Sequence, residues 1–299
     1  MYQVTAPTST RTPFGRQLPP DHGMVQVAKL TSGQEPEVLA FLGRRPIHTV
    51  ALVGFIRDNG LVSPLNRGTF YVCRDPRGHI EGIALIGHAT LMETTSDRAL
   101  EAFAEIAQKC TTAHLIMGEQ ERVRDFWNHY AEEGQDMRFA CRELLFELRW
   151  PVKGRGEIPG LRLATEADLE LIIPVQAQMA FDESGVNPLE YDAAGFRNRC
   201  ARRIKQGRTW VWIEGGQLMF KAEVVADTAS VIYLEGIWTN EEQRAKGYGL
   251  RCMSQLANQL LTRTKSITVL VNEANTNAHK FYQKAGYELR GIYDTIFLS

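Results

Sequence analysis

The heptapeptide Gln243-Arg244-Ala245-Lys246-Gly247-Tyr248-Gly249 lies between a predicted strand, Val231 to Trp238, and a predicted amphipathic helix, Leu250 to Thr264. Its two glycines allow the backbone to come close to a ligand. Successive N–H groups that open a helix point at any anion above them. Arg244 and Lys246 add positive charge at the same place. We therefore interpret the heptapeptide as a cradle for a pyrophosphate group.

The downstream sequence supports this interpretation over an ordinary tight turn, which the spacing Arg-x-x-Gly-x-Gly alone also fits. An apolar, strand-like run covers Ile267 to Val271. It precedes the segment Asn275-Thr276-Asn277-Ala278-His279-Lys280-Phe281-Tyr282-Gln283-Lys284-Ala285-Gly286-Tyr287. Strand, cradle, helix, strand and aromatic helix therefore follow one another in a single order.

These segments resemble those of the GNAT superfamily of N-acetyltransferases, which use acetyl-CoA. The resemblance is carried by Arg244-x-x-Gly247-x-Gly249, the superfamily's pyrophosphate loop, and by Asn275-x-x-Ala278-x-x-Phe281-Tyr282-x-x-x-Gly286-Tyr287, its second cofactor-binding segment. It covers roughly residues 161 to 299. The sequence departs from the commonest pattern at Glu241, often proline, and at Ala245, often glycine. Neither change removes a backbone N–H group, so we expect cofactor binding to persist.

The resemblance implies an acetyl-CoA site built from a loop, a strand and a helix. The loop contributes Arg244, Ala245, Lys246, Gly247, Tyr248 and Gly249. The strand contributes Ile237, Trp238 and Thr239, and the helix contributes Asn275, Ala278 and Phe281. Ile237 and Thr239 would pair with the pantetheine amides like an added strand, and the N–H near Ile237 would polarise the thioester carbonyl. Asn275 would bond the cofactor, cap its helix, or do both.

Composition limits the classes of protein to which the chain can belong. Its 299 residues suffice for two domains of ordinary size. The net charge of −1 predicts no binding to nucleic acid or to an anionic membrane. The five cysteines form no Cys-x-x-Cys pair, which indicates free thiols in a reducing cytoplasm. There is no apolar run of roughly 18 residues and no signal-peptide core. We expect a cytoplasmic protein, with a homodimer as one option.

Punctuating residues divide the chain into two domains. Residues 1–24 contain four prolines and no apolar period, which predicts a flexible segment. Residues 151–160 combine two prolines with three glycines, which predicts a linker. Residues 161–299 begin with a strand and a capping box, Thr165 with Asp168. We expect an α/β fold with mixed sheets: tandem GNAT-like domains at 25–150 and 161–299, each a twisted sheet flanked by helices.

A weak internal repeat relates the two domains. A shift of 155 residues lays Leu270-Val271 on Leu115-Ile116 and Phe281-Tyr282 on Phe126-Trp127. Chance similarity between two strand–helix units is the alternative. Where a cradle would fall, residues 93–98 hold two acids and no glycine, and the acids would repel pyrophosphate. We interpret the first domain as a degenerate GNAT-like domain without CoA binding. The whole chain resembles bacterial proteins that fuse such a domain to a GNAT domain.

Acetyl transfer by direct attack needs a held thioester, a neutral amine, a stabilised oxyanion and a proton for the departing thiolate. Glu235, an acid in an otherwise apolar strand, is the candidate general base; an ordinary solvent-facing or ion-paired glutamate is the alternative. Glu223, on the neighbouring strand, competes for this role. The resemblance makes Tyr282 the candidate general acid, against a core aromatic contact. Since no covalent nucleophile is required, we expect the cysteines to be dispensable.

Acceptor recognition is the least specific part of the sequence. Residues 182–192 are predicted to form a loop where the superfamily usually binds its acceptor, and acids such as Asp182 and Glu183 would suit a cationic amine. A solvated acidic loop is the alternative. Asn272 either lines the split between strands or ends the ladder. The arginines of residues 197–205 are predicted to form a solvated helix face or a weak anion patch. A lone His279 predicts no metal site.

Three functions fit these observations. The first is an acetyl-CoA-dependent N-acetyltransferase that acts, in a ternary complex, on a small primary amine or an exposed peptide amine. The second is aminoacyl transfer from tRNA, which the intact cradle disfavours. The third is a non-catalytic acyl-CoA-binding sensor in which Glu235 merely packs, which Tyr282 disfavours.

Overall fold

The computed structural model describes residues 25–153 and 155–299, so the predicted flexible segment at 1–24 lies outside the described residues. The first half contains the strands β1 (Gln26–Lys29), β2 (Gly68–Arg74), β3 (Ile80–Gly87), β4 (Ala89–Thr94), β5 (Leu115–Glu119) and β6 (Met137–Leu148). Its helices are α1 (Glu35–Leu42), α2 (Pro46–Asn59), α3 (Asp97–Ala107) and α4 (Gln120–Tyr130).

The second half repeats this plan, with longer counterparts of α1, α2 and α3. Its strands are β7 (Leu161–Leu163), β8 (Thr209–Glu214), β9 (Gln217–Asp227), β10 (Val231–Thr239), β11 (Ser266–Asn272) and β12 (Glu288–Leu298). Its helices are α5 (Leu169–Ser184), α6 (Pro188–Lys205), α7 (Tyr248–Leu260) and α8 (Thr276–Lys284). None of the helices in the described ranges combines the length and the apolarity needed to cross a membrane.

The predicted acidic loop at 182–192 is wrong in extent. Helix α5 continues to Ser184 and α6 begins at Pro188, so only three residues connect them. Gly185 ends α5 in the left-handed conformation, with φ 69°, and the Asn187 side chain caps α6 by accepting from the Leu189 amide at 3.1 Å. Most of the acids therefore project from helix ends. The predicted capping box of Thr165 and Asp168 is confirmed.

The strands of the described residues form one twelve-stranded sheet in the order β1-β2-β3-β4-β5-β12-β6-β11-β10-β9-β8-β7. The order is symmetric between the two halves. If β1 is exchanged with β7, β2 with β8 and so on to β6 with β12, the order read from one edge of the sheet equals the order read from the other edge. The predicted mixed α/β fold with two related halves is confirmed. Helix α8 corresponds to α4, as the internal repeat predicts, because each of the two helices follows the fifth strand of its half.

The last strands of the two halves are exchanged, which the sequence did not predict. Strand β6 belongs to the first half but pairs with β11, and β12 belongs to the second half but pairs with β5. The two exchanged strands also pair with each other along most of their length. Each half therefore completes the sheet of the other. The division of the chain at residues 151–160 stays a prediction.

Helices cover both faces of the sheet. Helices α7 and α8 pack on β9, β10 and β11 through a core that includes Leu234, Met253 and Tyr282. On the opposite face, Val50 of α2 packs against Val231 and Tyr233 of β10. The first half therefore supplies the second half with a covering helix, α2, as well as with the strand β6.

Candidate active site

Strands β10 and β11 diverge in the middle of the second half. They pair in parallel from Val231 with Ser266 to Leu234 with Val269, and no further pairing between them follows within the described residues. Beyond that point β10 stays paired with β9, while β11 stays paired with β6 as far as Asn272. The backbone of β10 from Glu235 to Thr239 therefore faces a gap. This edge has the unpaired peptide groups that an extended, amide-containing ligand could meet.

A bulge in β10 lies at the start of the gap. The register with β9 shifts between Glu235 and Trp238, and Gly236 adopts φ 58°, which favours glycine. The carbonyl oxygen of Gly236 accepts a hydrogen bond from Lys221 Nζ at 2.8 Å. Lys221 is fully buried, and burial lowers the pKa of its ammonium group. A buried cation on β9 thus holds the bulge in place.

The bulge also determines the face of the sheet on which each of the predicted residues 237–239 lies. Ile237 packs with the core under α7 and α8, whereas Trp238 packs with the core under α5 and α6. Thr239 ends the strand, and its carbonyl accepts from Arg244 Nε at 3.2 Å. The three predicted residues therefore border the gap on both faces of the sheet.

The predicted cradle forms a turn that leads directly into α7. Ala245 and Gly247 both have left-handed backbone, with φ 61° and φ 84°. The first value explains why glycine suits the position of Ala245. Within the described residues, the amide N–H groups of residues 245 to 249 donate to no protein acceptor. These donors, together with the positive end of the α7 dipole, form an anion-binding concavity.

The side chains around the turn hold it against β10 and α8. A Cβ atom at Gly249 would lie 2.8 Å from Thr239 Oγ1 and 3.3 Å from the Phe281 ring, so only glycine allows this approach. Arg244 pairs with Glu241 at 3.1 Å, and Lys246 Nζ donates to Gln243 at 3.4 Å. Tyr248 packs on Trp212. The charged side chains of Arg244 and Lys246 thus interact with residues that lie three positions earlier in the chain.

The first half has no counterpart to this turn within the described residues. Only Thr95 and Ser96 connect β4 to α3. Ser96 caps α3 by accepting from the Ala99 amide at 3.4 Å, so a protein oxygen occupies the position at which an anion would sit. The interpretation of this half as one without a CoA cradle agrees with that geometry.

Helix α8 brings the predicted aromatic segment to the other side of the gap. Tyr282 is buried, and its ring stacks on Phe146 of the exchanged strand β6 at 6.1 Å between centroids. Burial raises the pKa of Tyr282, so the hydroxyl stays protonated. Asn275 caps α8 by accepting from the Ala278 amide at 3.0 Å. The capping role expected for Asn275 is thus present.

A group of three carboxylates lies on the opposite face, beside the bulge. Glu235 comes from β10, Glu183 from the last turn of α5, and Glu143 from β6. Glu183 is exposed to solvent, and its partial desolvation followed by the charges of Glu235 and Glu143 raises its pKa to about 7. Burial and the charge of Glu235 also raise the pKa of Glu143, whose carboxylate accepts from Thr295 Oγ1 at 2.7 Å.

Sequence reasoning missed Glu143 because its strand belongs to the other half of the chain. Nothing in the local pattern of residues 137–148 indicates insertion between β11 and β12. The buried Tyr233 hydroxyl feels the same charges, since burial and then Glu235 and Glu143 raise its pKa. The acidic character of the site is therefore a property of the exchanged sheet.

Glu223 takes a different position from the one expected of a base. It is buried and ion-paired with Arg203, and Lys221 Nζ lies 3.7 Å from its other oxygen. These two cations lower the pKa of Glu223 against the effect of burial. The expectation that the arginines of residues 197–205 form a solvated face is therefore wrong for Arg203. Glu223 supports the bulge instead of facing the gap.

The remaining predicted residues lie at the border of the site. Asp182 is exposed and accepts from Gln178 Nε2 at 2.7 Å. Asn272 is the last residue of β11, opposite Glu143, and its side chain accepts from the Ala274 amide at 2.9 Å. His279 bonds the Asn272 carbonyl at 3.0 Å. Within residues 25–153 and 155–299, no group of three metal-ligating side chains comes together.

The comparisons with known proteins agree with this geometry. Residues 219–297 match the family model described as FR47-like protein, and no curated protein matches the sequence. Among solved structures, a tandem GNAT protein from the clavulanic acid biosynthesis pathway is 13% identical, with a TM-score of 0.56 over 91% of this chain and 98% of its own. The chain has the tandem GNAT fold.

Two further solved structures show the same fold over nearly the full chain. An acetyltransferase of the GNAT family from Colwellia psychrerythraea is 10% identical, with a TM-score of 0.55 over 92% of this chain and 100% of its own. A GCN5-related N-acetyltransferase from Sphaerobacter thermophilus is 12% identical, with a TM-score of 0.58 over 92% and 95%. The resemblance to the GNAT superfamily expected from the two sequence segments is confirmed as a tandem GNAT fold.

Proposed function

We propose that the protein is an acetyl-CoA-dependent N-acetyltransferase whose second half binds the cofactor and transfers the acetyl group to a primary amine. The observation that carries the proposal is the turn that opens α7, in which no described protein group accepts from the N–H groups of residues 245 to 249. The adjacent gap between β10 and β11 supports it. The GNAT-type acetyltransferases with the same fold make acyl transfer the reaction to test first.

The residues present fit acetyl-CoA in three places. The turn would hold the pyrophosphate through backbone N–H groups, and the open edge of β10 at Ile237 and Thr239 would pair with the pantetheine amides. Asn275, Ala278 and Phe281 would line the opposite wall. When bound, acetyl-CoA supplies the acetyl group as a thioester. The backbone N–H near the bulge would polarise the thioester carbonyl, because Lys221 fixes the conformation of Gly236.

We propose that Glu183 is the general base, which accepts the proton that the ammonium group of the acceptor loses. The pKa of Glu183, about 7, is that of a base that is available near neutrality yet basic enough to accept a proton. Glu235 and Glu143 would hold the ammonium group and keep the pKa of Glu183 raised. This assignment moves the base from Glu235, the sequence candidate, to its neighbour on α5. The neutral nitrogen can then attack the carbonyl carbon, and it releases its second proton to solvent as the amide forms, from which Tyr282 regains the proton that it gives to the thiolate.

Tyr282 is proposed to give its hydroxyl proton to the thiolate that leaves when the C–S bond breaks. It lies on the α8 face of the sheet, whereas the carboxylates lie on the α5 face, and the gap connects the two. Surroundings that disfavour the phenolate also disfavour the thiolate, so burial raises the proton affinity of both. Proton removal and proton delivery would thus occur on opposite sides of the transferred acetyl group.

Thermal unfolding and CoA release together test the proposal. Acetyl-CoA should raise the unfolding temperature by mass action on the folded state, and bare tRNA should not. Free CoA should then appear when a panel of amino acids, polyamines, aminoglycosides and peptides is added. Stabilisation without CoA release from any acceptor would indicate a sensor. No stabilisation at a cofactor concentration of about 1 mM would contradict cofactor binding itself.

A further inference from the structure

A cleft of about 950 Å³ is lined by residues of both halves. It begins at Ser184, which directly follows Glu183. The second half lines it with Val186, Tyr191 and Phe196, and the first half lines it with Arg67, His88 and His114. Arg138, Arg199 and Ser299 also line it. The cleft is thus shared by both halves and lies next to the end of α5 that carries Glu183.

Three arginines in the cleft have little negative charge to balance them. Arg199 pairs with Asp192 at 3.1 Å. Arg138 donates to the Ser184 carbonyl at 2.7 Å and lies over the Phe139 ring at 4.9 Å. The guanidinium of Arg67 has no hydrogen-bond acceptor among the described residues. Among the described residues, the guanidinium groups of Arg67 and Arg138 therefore line the cleft without an ion pair to a carboxylate side chain.

The positive groups affect one another. Burial and then the charge of Arg199 lower the pKa of Arg67. Burial and then Arg67 lower the pKa of His88 to about 4, so His88 is neutral at physiological pH and can act as a hydrogen-bond partner. Its ring stacks on that of His114 at 5.1 Å between centroids. Arg67, Arg138 and Arg199 outnumber Asp192, the one acidic side chain among the described lining residues, and a concave surface with such an excess of positive charge concentrates anionic ligands.

We propose that the acceptor amine carries an anionic group, a carboxylate or a phosphate, which binds in the cleft through Arg67, Arg138 and Arg199. This inference rests on the proposed function, because it takes the amine to lie at the carboxylate group. An acceptor with a cationic and an anionic end then matches the polarity of the path from Glu183 to Arg67. Guanidinium groups bind both carboxylates and phosphates through paired N–H donors.

Matched acceptor series test this inference. CoA release would be measured with n-alkylamines, ω-amino carboxylates and ω-aminoalkyl phosphates of equal chain length. We expect the KM of the better anionic series to be about tenfold to a hundredfold below that of the alkylamines, as charge-assisted hydrogen bonds imply. Arg67→Gln should remove this difference by raising the KM of the anionic acceptors while kcat stays unchanged. Comparison of the two anionic series separates carboxylate from phosphate.

A matched control and a binding measurement separate failure of the inference from failure of the proposed function. Arg124→Gln removes an exposed arginine of α4, outside the cleft, and should leave every KM unchanged. Calorimetric titration with the same acceptors needs no turnover. Binding that depends on Arg67 without CoA release would support the cleft and contradict the enzyme. Acetylation of all the series with equal KM, unaffected by Arg67→Gln, would overturn the inference and leave the enzyme intact.

Discussion

Glu143 of β6 and Tyr293 of β12 face each other across the pair of exchanged strands, and each interacts with residues of the other half. Glu143 feels the charge of Glu235 in the second half. Tyr293 bonds His48 through its hydroxyl at 3.0 Å, in the first half. The strand exchange therefore makes the candidate active site dependent on the whole chain.

The exchange predicts that the second half is inactive alone. Residues 161–299 expressed without the first half should be unfolded or aggregated, because β11 and β12 lose β6 from between them and expose long unpaired edges. Circular dichroism and CoA release check this. Coexpression with residues 25–150 should restore a soluble, active complex. A stable, active fragment would show that β11 and β12 can pair without β6.

The pKa of Glu183 predicts the pH dependence of turnover. Since the base must be ionised, kcat should rise as the pH increases through about 7 and then level off. In Glu235→Gln, the rise should move to lower pH, because removal of a neighbouring negative charge lowers the pKa of Glu183. Glu101→Gln, an exposed glutamate of α3, should leave the profile unchanged. An unshifted rise in Glu235→Gln would exclude Glu183 as its source.

The general-acid role predicts a difference between two tyrosines of one aromatic cluster. Tyr282→Phe should lower kcat by roughly 100-fold or more with acetyl-CoA affinity nearly unchanged, because only proton delivery is lost. Tyr287, 5.4 Å from Tyr282 between centroids, has a buried hydroxyl without a hydrogen-bond partner in the described structure. Tyr287→Phe should keep wild-type kcat and stability. Equal kcat in Tyr282→Phe and the wild type would defeat the acid assignment.

The buried lysine beneath the bulge predicts a coupled loss of stability and activity. Lys221→Met leaves the Gly236 carbonyl without its donor and Glu223 with one cation fewer, which should cost about 3 kcal/mol of unfolding free energy. The kcat of the folded variant should fall about tenfold as the bulge moves. Glu223→Gln added to Lys221→Met should lower stability further, because it leaves Arg203 without its ion-pair partner. A wild-type kcat in Lys221→Met would show that the position of the bulge does not affect catalysis.

Local patterns in the sequence predicted much of this structure. Glycine spacing located the turn at 243–249, and the pair Thr165 and Asp168 predicted a cap that forms. These features depend on neighbours in sequence, so the chain reveals them directly.

Features that depend on distant neighbours were missed. Helical spacing placed Arg203 on an exposed face, but it could not show that the facing group is the buried Glu223. The sequence left the pairing partners of β6 open, so Glu143 was not recognised. The exchange of β6 and β12 was missed for the same reason. It changes the pairing partners of the two strands but leaves the pattern of residues within each strand unchanged.

Binding of acetyl-CoA by Gly247 variants tests the central claim most directly. Gly247→Asp places bulk and negative charge in the turn, so the Kd for acetyl-CoA measured by calorimetry should rise at least about 100-fold. Gly78→Asp is the matched control, since Gly78 also has open space and a positive φ, 86° against 84°, but lies in the β2–β3 turn. It should keep the wild-type Kd. An unchanged Kd in folded Gly247→Asp would show that the pyrophosphate binds elsewhere.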